Sequence, residues 1–460
     1  MMRSLDDVIK AYDVRGVVPD QFDADLAHDI GAAFVRVIGA AARDGGPGAV
    51  VIGHDMRPSG PDLVAAFADG VTEQGCDVIR IGLCSTDGMY FASGTTGLPG
   101  AMFTASHNPA QYNGIKLCRA GASPVGQDTG LAAIKQMVID GVPTFGGPSG
   151  YVRDEDMLVP YAEYLRHLVG IADIRPLKVV IDAGNGMAGY TAPAVLEWLP
   201  LQITELFFEL DGNFPNHEAN PIDPANMVDT QRAVLETGAD IGLAFDGDAD
   251  RCFVVDERGE IVNPSTLTAL IASLELAKSP GAPVIHNLIT SRAVPEVIRE
   301  NGGTPVRTRV GHSFIKATMA ETGAVFGGEH SGHFYFRDFW RADSGMLAAL
   351  HVLSYLGHTP PGTKLSDLLS QFARYSLSGE LNTTVADAQA SIAAVRAEFE
   401  GKPGITIDTL DGMTVESQDW WFNLRPSNTE PLLRLNVEAE DPQQMQDVRD
   451  EVLAMIKALG

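Results

Sequence analysis

Paired cysteines are missing from this sequence. Its four, Cys76, Cys84, Cys118 and Cys252, lie far apart and make no CxxC pair. Such spacing argues against structural disulfides and against a zinc site, and it fits a reducing cytoplasm. Positive charge is scarce as well: 33 Lys and Arg stand against 60 Asp and Glu, a formal net charge of −27. A surface so acidic repels nucleic-acid phosphates and anionic lipid, so neither nucleic acid nor membrane is an expected partner. A single phosphate ligand is still allowed, because it needs only a local cluster of Arg and Lys. No uninterrupted apolar run approaches transmembrane length. Asp6 and Asp7 fall where the apolar segment of a signal peptide should be, which again points to the cytoplasm. What remains is an ordinary globular composition, 45% hydrophobic and 20% charged over 460 residues. That length holds roughly three or four domains.

Apolar runs alternate with helical patterns through most of the chain. Residues 5–16 form a short apolar run closing on Arg15-Gly16, followed by a helical pattern over 23–43 and the strand-like run 49–53. A helix over 60–75, a strand at 77–81 and a loop through Thr86-Asp87 come next. The apolar lead Pro99-Gly100-Ala101-Met102 then ends in Phe103-Thr104-Ala105-Ser106-His107-Asn108-Pro109, with Gly114-Ile115-Lys116-Leu117 as its hairpin partner. The breaker-rich run 141–150 reads as a linker. A second unit carries a helix over 154–169, a strand at 177–182 tipped by Ala183-Gly-Asn-Gly186, and a strand at 239–245 tipped by Asp246. A third has its strand at 283–287. Apolar strand, polar tip, then helix recurs in all three, a weak internal repeat of α/β units whose sheets are largely parallel. Beyond about residue 370 the strand-like runs 381–385, 405–407, 420–424 and 432–437 precede a closing helix from Pro442, which marks an α+β unit with an antiparallel sheet. The expected domains are 1–149, 150–255, 256–371 and 372–460.

Four stretches carry chemistry. Ser106 stands at a strand tip with an imidazole, His107, beside it, and Pro109 keeps Asn108 extended; the stretch taken alone also reads as an Asx turn. Asp246-Gly247-Asp248-Ala249-Asp250-Arg251 puts three carboxylates at alternate positions after a buried strand, an oxygen-only set suited to Mg²⁺ rather than zinc. An EF-hand loop is the competing reading, since Glu257 falls at the twelfth position. Arg251 occupies the sixth, however, where glycine is needed, and 252–255 reads as a strand. Arg251 also offers a fixed positive charge to a phosphate. Gly327-Gly328-Glu329-His330-Ser331-Gly332-His333 has the composition of a loop that hydrogen-bonds vicinal sugar hydroxyls, with a His metal pair or a plain glycine turn as rivals. Val310-Gly311-His312-Ser313 upstream adds another candidate contact. Leu424-Arg425-Pro426-Ser427-Asn428-Thr429-Glu430-Pro431 offers a guanidinium, hydroxyls, an amide and backbone N–H groups, the parts of a phosphate nest or simply a polar turn.

With all four loops present in order, the chain resembles the α-D-phosphohexomutase family along nearly its whole length. Its Glu-His-Ser-Gly-His loop is similar to that of the phosphomannomutase/phosphoglucomutase branch. The resemblance implies three related α/β domains plus a C-terminal α+β domain arranged around a central cleft. It implies a phosphoserine at Ser106 and Mg²⁺ held by that phosphate with Asp246, Asp248 and Asp250. Lys116, His333, Arg15 and His107 become the candidates for acid–base and catalytic work. Tyr12, Arg251, His312, Glu329, Ser331, Arg425, Ser427, Asn428 and Thr429 become substrate contacts. The implied reaction interconverts mannose 6-phosphate and mannose 1-phosphate through a hexose 1,6-bisphosphate, which is also the activator. Glucose phosphates, or less readily glucosamine phosphates, are the alternatives, and a non-catalytic sugar-phosphate binding protein is the alternative from another class. The expected partners are small hexose phosphates, and the expected state is a monomer or weak homodimer. One position departs from the branch: Ile289 stands where a substrate-contacting lysine is usual.

Overall fold

The computed structural model describes residues 5–40, 48–426 and 432–459. Three sets of strands repeat one plan. In each, the strand that comes first in sequence lies in the middle, the second on one side and the third on the other, all parallel. The sets are Gly100–Phe103, Ala49–His54 and Asp77–Leu83; Ile241–Phe245, Leu177–Asp182 and Leu201–Leu206; and Phe326–Gly328, Pro283–Asn287 and Thr304–Thr308. The internal repeat read from the sequence is thus visible as topology. Its strands are nearly continuous apolar runs because both faces are covered; Ile241–Phe245 is buried at every residue.

Antiparallel strands make the first two sheets mixed. Tyr112–Arg119 pairs with Gly100–Phe103, so the expected hairpin is present, and Val14–Val17 pairs with its other edge. Cys252–Asp256 pairs with Ile241–Phe245, and this strand occupies the second half of what an EF-hand loop would need. The run 141–150 contains no helix or strand, yet Val152–Asp154 just beyond it pairs with Asp77–Leu83. The first sheet therefore closes after that run rather than before it. The C-terminal sheet is antiparallel throughout, in the order Ser376–Thr384, Leu432–Ala439, Trp420–Pro426, Met413–Glu416, Thr406–Asp408. Helix Pro442–Leu459 closes the chain.

The first helix is shorter than the sequence pattern suggests. Ala24–Val37 begins where the Asp23 carboxylate accepts the Leu26 N–H, and it stops where Gly39 turns left-handed at φ 68°. A second expectation needs correction. Thr86-Asp87 is not loop but the first turn of helix Thr86–Thr96, capped by Ser85 through the Gly88 N–H. Ser, Thr and Asp in succession are favoured in turns and at helix starts alike, so composition alone did not separate the two.

The chain divides into two compact units, residues 1–262 with 331–368, and residues 263–330 with 369–460. The first holds the first two sheets and the antiparallel pair Phe334–Phe336 and Ala342–Asp343. The second holds the third parallel set and the C-terminal sheet. Within it, Arg292 ties the loop after Pro283–Asn287 to the turn 416–420: its guanidinium donates to Gln418 O, Ser417 O and Trp420 O and pairs with Glu416.

Asp87 is the buried hub of the first unit. Its carboxylate accepts from Tyr161 Oη at 2.8 Å and Ser344 Oγ at 2.6 Å, and also from Ser85. Burial pushes its pKa from 3.8 up to about 6, although the three hydroxyls favour the charged form. The folded protein therefore holds a proton on Asp87 that the unfolded chain releases near pH 4. The stability linked to that proton is fully present below pH 4 and is lost as the pH rises through 6, a change of roughly 2–3 kcal/mol for a buried group. Asp87→Asn should flatten the dependence of Tm on pH between 4 and 7. An unchanged pH–Tm curve in the variant contradicts this account.

Candidate active site

Each parallel set places a polar loop directly after its third strand, where functional groups gather in such sheets. Ser106 follows Gly100–Phe103, Asp246 follows Ile241–Phe245, and Glu329 follows Phe326–Gly328. The first two of these loops meet in the first unit. Ser106 is 6% exposed and adopts φ 48°, a left-handed backbone that costs a serine about 1–3 kcal/mol. Its Oγ donates to Asp246 Oδ2 at 2.7 Å and lies 3.3 Å from His107 Nδ1. Gly247 sits against it: a Cβ there would stand 2.5 Å from Ser106 O. Gly247→Ala should therefore push the two loops apart and cut turnover about 100-fold or more with the protein still folded, as read by steady-state rate and circular dichroism.

Asp246, Asp248 and Asp250 are all buried and can each offer an oxygen within 4.8 Å of the others. Arg251 Nε donates to Asp246 Oδ2 at 2.9 Å. The Lys116 ammonium bridges Asp248 Oδ2 at 2.7 Å and Asp250 Oδ2 at 2.6 Å, and Thr86 Oγ1 donates to the same Asp248 oxygen at 2.5 Å. Three carboxylates against these two cations leave one negative charge. Among the described residues, the buried Oδ1 atoms of Asp248 and Asp250 accept no hydrogen bond. Buried carboxylate oxygens lacking donors, grouped with a third carboxylate, fit a hard divalent cation. Burial and the two neighbouring carboxylates push the Asp246 pKa upward, against the pull of Arg251. Burial would raise Asp248 too, but Lys116 and Thr86 hold it well below the usual carboxylate range. Burial, with Arg251 and Arg15 nearby, depresses His107 to about 2, leaving a neutral imidazole.

His333 reaches the same cluster through an isolated backbone bridge between residues 251 and 333. Its Nε2 lies 3.6 Å from Asp250 Oδ1 and its Nδ1 2.8 Å from Ser331 Oγ. Asp343 completes a second group with Asp250 and His333. Arg15 binds Asp13 at 2.5 Å and the Asn108 side chain of the serine loop, and Tyr12 is half-buried in the bend just before it. Ser106, His107, Lys116, the three aspartates, Arg251, Ser331, His333 and Arg15 thus all belong to one unit, and most meet directly.

The remaining predicted residues, apart from Tyr12 of the first unit, belong to the second unit. Glu329 is buried and accepts from Gly311 N at 3.1 Å. Ile289 is also buried, in the loop held by Asn287. Arg425 donates to Glu380 at 2.7 Å, and Arg434, its cross-strand neighbour, donates to the other Glu380 oxygen at 3.0 Å. His312 opens helix His312–Thr322, but its side chain, and Ser427, Asn428 and Thr429 entirely, lie outside the described residues. The sequence reading missed Thr86 and Asp343. The Ser-Thr-Asp run of a helix start could have revealed Thr86; nothing local marks Asp343.

Four family models match, described as phosphoglucomutase/phosphomannomutase alpha/beta/alpha domain I over residues 6–141, domain II over 160–259, domain III over 263–375 and the C-terminal domain over 380–455. The chain belongs to the phosphoglucomutase/phosphomannomutase family. It is accordingly an isomerase of the phosphohexomutase class. Among relatives of this family, a protein of Xanthomonas campestris pv. campestris described as phosphohexose mutases is 42% identical, over 97% of this chain and 98% of that protein. An Escherichia coli phosphomannomutase is 39% identical over 97% and 98%, and a Pseudomonas syringae phosphomannomutase/phosphoglucomutase 36% identical over 99% and 96%. A crystal structure of a phosphoglucomutase/phosphomannomutase family protein from Burkholderia thailandensis superposes with a TM-score of 0.87, at 35% identity, covering 100% of this chain and 98% of that one. Phosphohexomutase membership accounts for the three α/β sheets and the antiparallel C-terminal sheet together. Among the described residues, no helix is long and apolar enough to cross a membrane.

Proposed function

We propose that this family member is a phosphomannomutase, interconverting mannose 6-phosphate and mannose 1-phosphate through a phosphoserine at Ser106 and a hexose 1,6-bisphosphate. The observation that carries the reading is Ser106 Oγ at 2.7 Å from Asp246, in a group of three buried carboxylates. Asp246, Asp248 and Asp250, with the serine phosphate, would hold Mg²⁺. When bound, that ion neutralises charge on the phosphoryl oxygens. The chain's own residues do the rest. Ser106 carries the phosphoryl group; its P–Oγ bond breaks as a bond from phosphorus to a free sugar hydroxyl forms, the hydroxyl proton passes to a base on the protein, and Oγ takes up a proton as it leaves. In the second half the other sugar phosphate returns to Ser106 by the reverse transfer. Arg251 and Lys116 supply fixed positive charge beside the reacting group. Of the candidates Lys116, His333, Arg15 and His107, the two cations Lys116 and Arg15 have no free lone pair, so the imidazoles of His333 and His107 are left to accept the proton. Glu329 and Ser331 are assigned the sugar hydroxyls; Arg425, with Ser427, Asn428 and Thr429, is assigned the phosphate that is not reacting; and Tyr12 and His312 are further contacts. Mannose is favoured as substrate because most of the relatives at 36–42% identity named for a substrate are phosphomannomutases.

A second reading, turnover of glucose phosphates alongside mannose phosphates, is supported by the dual name of the Pseudomonas relative. A side-by-side assay of mannose 1-phosphate and glucose 1-phosphate, with Mg²⁺ and a trace of glucose 1,6-bisphosphate, tests both. Comparable or better kcat/KM on mannose phosphate supports the first reading. Turnover of glucose phosphate alone replaces it, and makes Ile289→Lys the next variant to measure.

A further inference from the structure

The Arg57 side chain is fully buried in the first unit, with 0% of it exposed. Burying a guanidinium is costly unless every donor is matched. Here Nη1 donates to Pro109 O at 2.9 Å and Tyr112 O at 2.8 Å, while Nη2 donates to Ser106 O at 2.9 Å and Asn108 O at 2.6 Å. Asp55, also fully buried, lies 3.3 Å from Nε and accepts the Arg57 backbone N–H at 3.0 Å. The Phe214 ring, from the second sheet's loops, covers the guanidinium with its centroid 5.3 Å away. Three of the carbonyls belong to the turn between Gly100–Phe103 and Tyr112–Arg119, and the fourth is that of Tyr112, the first residue of the second strand.

We propose that Arg57 is a positioning residue for the phosphoryl-transfer step. Its planar fork gathers the carbonyls of the 106–112 turn and so holds Ser106 in the left-handed backbone that aims Oγ at Asp246. The inference rests on the reading of Ser106 as the phosphoryl carrier. The turn cannot swivel without stripping hydrogen bonds from a buried cation, so the cation fixes the strained residue. Facing inward, the four carbonyl oxygens are also kept from facing a phosphate on Ser106, which they would repel. Arg57 need touch neither substrate nor phosphate to do this.

Arg57→Lys keeps the charge but not the fork: an ammonium has three donors and cannot span four carbonyls in one plane. The test follows the single-turnover transfer from glucose 1,6-bisphosphate to Ser106, in which the sugar O–P bond breaks, the P–Oγ bond forms and the serine proton goes to the sugar oxygen. Intact mass reads the added phosphate. The expected result for Arg57→Lys is transfer and kcat about 30-fold or more slower, with KM for mannose 1-phosphate within threefold of wild type and an unchanged circular dichroism spectrum. A kcat within threefold of wild type overturns the proposal, and so does a loss shared equally by kcat and KM. Should Arg57→Lys not fold, Phe214→Leu at a half-buried site replaces it: a fivefold fall in kcat at constant KM is expected, and an unchanged kcat overturns the proposal. If wild type itself takes no phosphate on Ser106, the phosphoserine reading fails first. If wild type and Arg57→Lys are phosphorylated equally fast, only the role of Arg57 fails.

Discussion

Ser106→Ala should lower turnover of mannose 1-phosphate by about 10³-fold or more and abolish incorporation of phosphate from the bisphosphate. The reasoning is chemical. Among the described residues, the only hydroxyl that donates to Asp246 is removed, while Arg251 stays bound to the same carboxylate, so the cluster keeps its charge and most of its shape. Net stability should change by only about 1 kcal/mol, the worth of one hydrogen bond. Backbone strain offers a different explanation for a dead variant, because alanine at φ 48° is no more comfortable than serine. Ser106→Gly separates the two. Glycine adopts that conformation freely, so a glycine variant as inactive as the alanine one places the loss on the missing nucleophile. Substantial activity in either variant removes Ser106 from the chemistry. The measurement is a coupled rate assay with the phosphorylation state read by intact mass.

Much of this site could be read from the sequence because the fold repeats itself. An apolar strand, a polar tip and a helix recur, and in each parallel set the functional loop follows the third strand: Ser106, Asp246 and Glu329. A buried parallel strand is a conspicuous apolar run, so its end is easy to locate, and the chemistry sits at that end. What escaped is whatever acts across the sequence. Arg57 lies in an Asp-Met-Arg-Pro-Ser turn that looks like any exposed turn, yet its four acceptors come from a segment about 50 residues away. Thr86 reaches Asp248 over 162 positions, and Asp343 joins Asp250 and His333. Such contacts have no periodicity to announce them. The helix at Thr86 was misread for a local reason, since cap residues and turn residues are the same residues.

Lys116 is where those long-range contacts carry the most electrostatic weight, and its removal should have the second largest effect. The largely buried ammonium answers to two of the three aspartates at once, and its own pKa is raised well above the usual lysine value because Asp248 and Asp250 outweigh the effect of burial. Lys116→Met removes one of the two cations and leaves the cluster at two net negative charges instead of one. Unpairing buried charges costs about 3–5 kcal/mol, so Tm should fall by several degrees in the absence of divalent ions. Under the proposed reading, adding Mg²⁺ should restore most of that loss, because a more negative cluster binds a dication more tightly. The half-saturating Mg²⁺ concentration should therefore fall while kcat falls about 100-fold or more, since the positive charge offered to the phosphoryl group is gone. Asp248→Asn should move the metal requirement the other way, to higher Mg²⁺. Opposite shifts in the two variants identify the three aspartates as the cation site and Lys116 as its permanent counter-charge. A Lys116→Met enzyme with an unchanged Mg²⁺ requirement and wild-type kcat would falsify that assignment, and with it the balance of charge on which the proposed transfer at Ser106 depends.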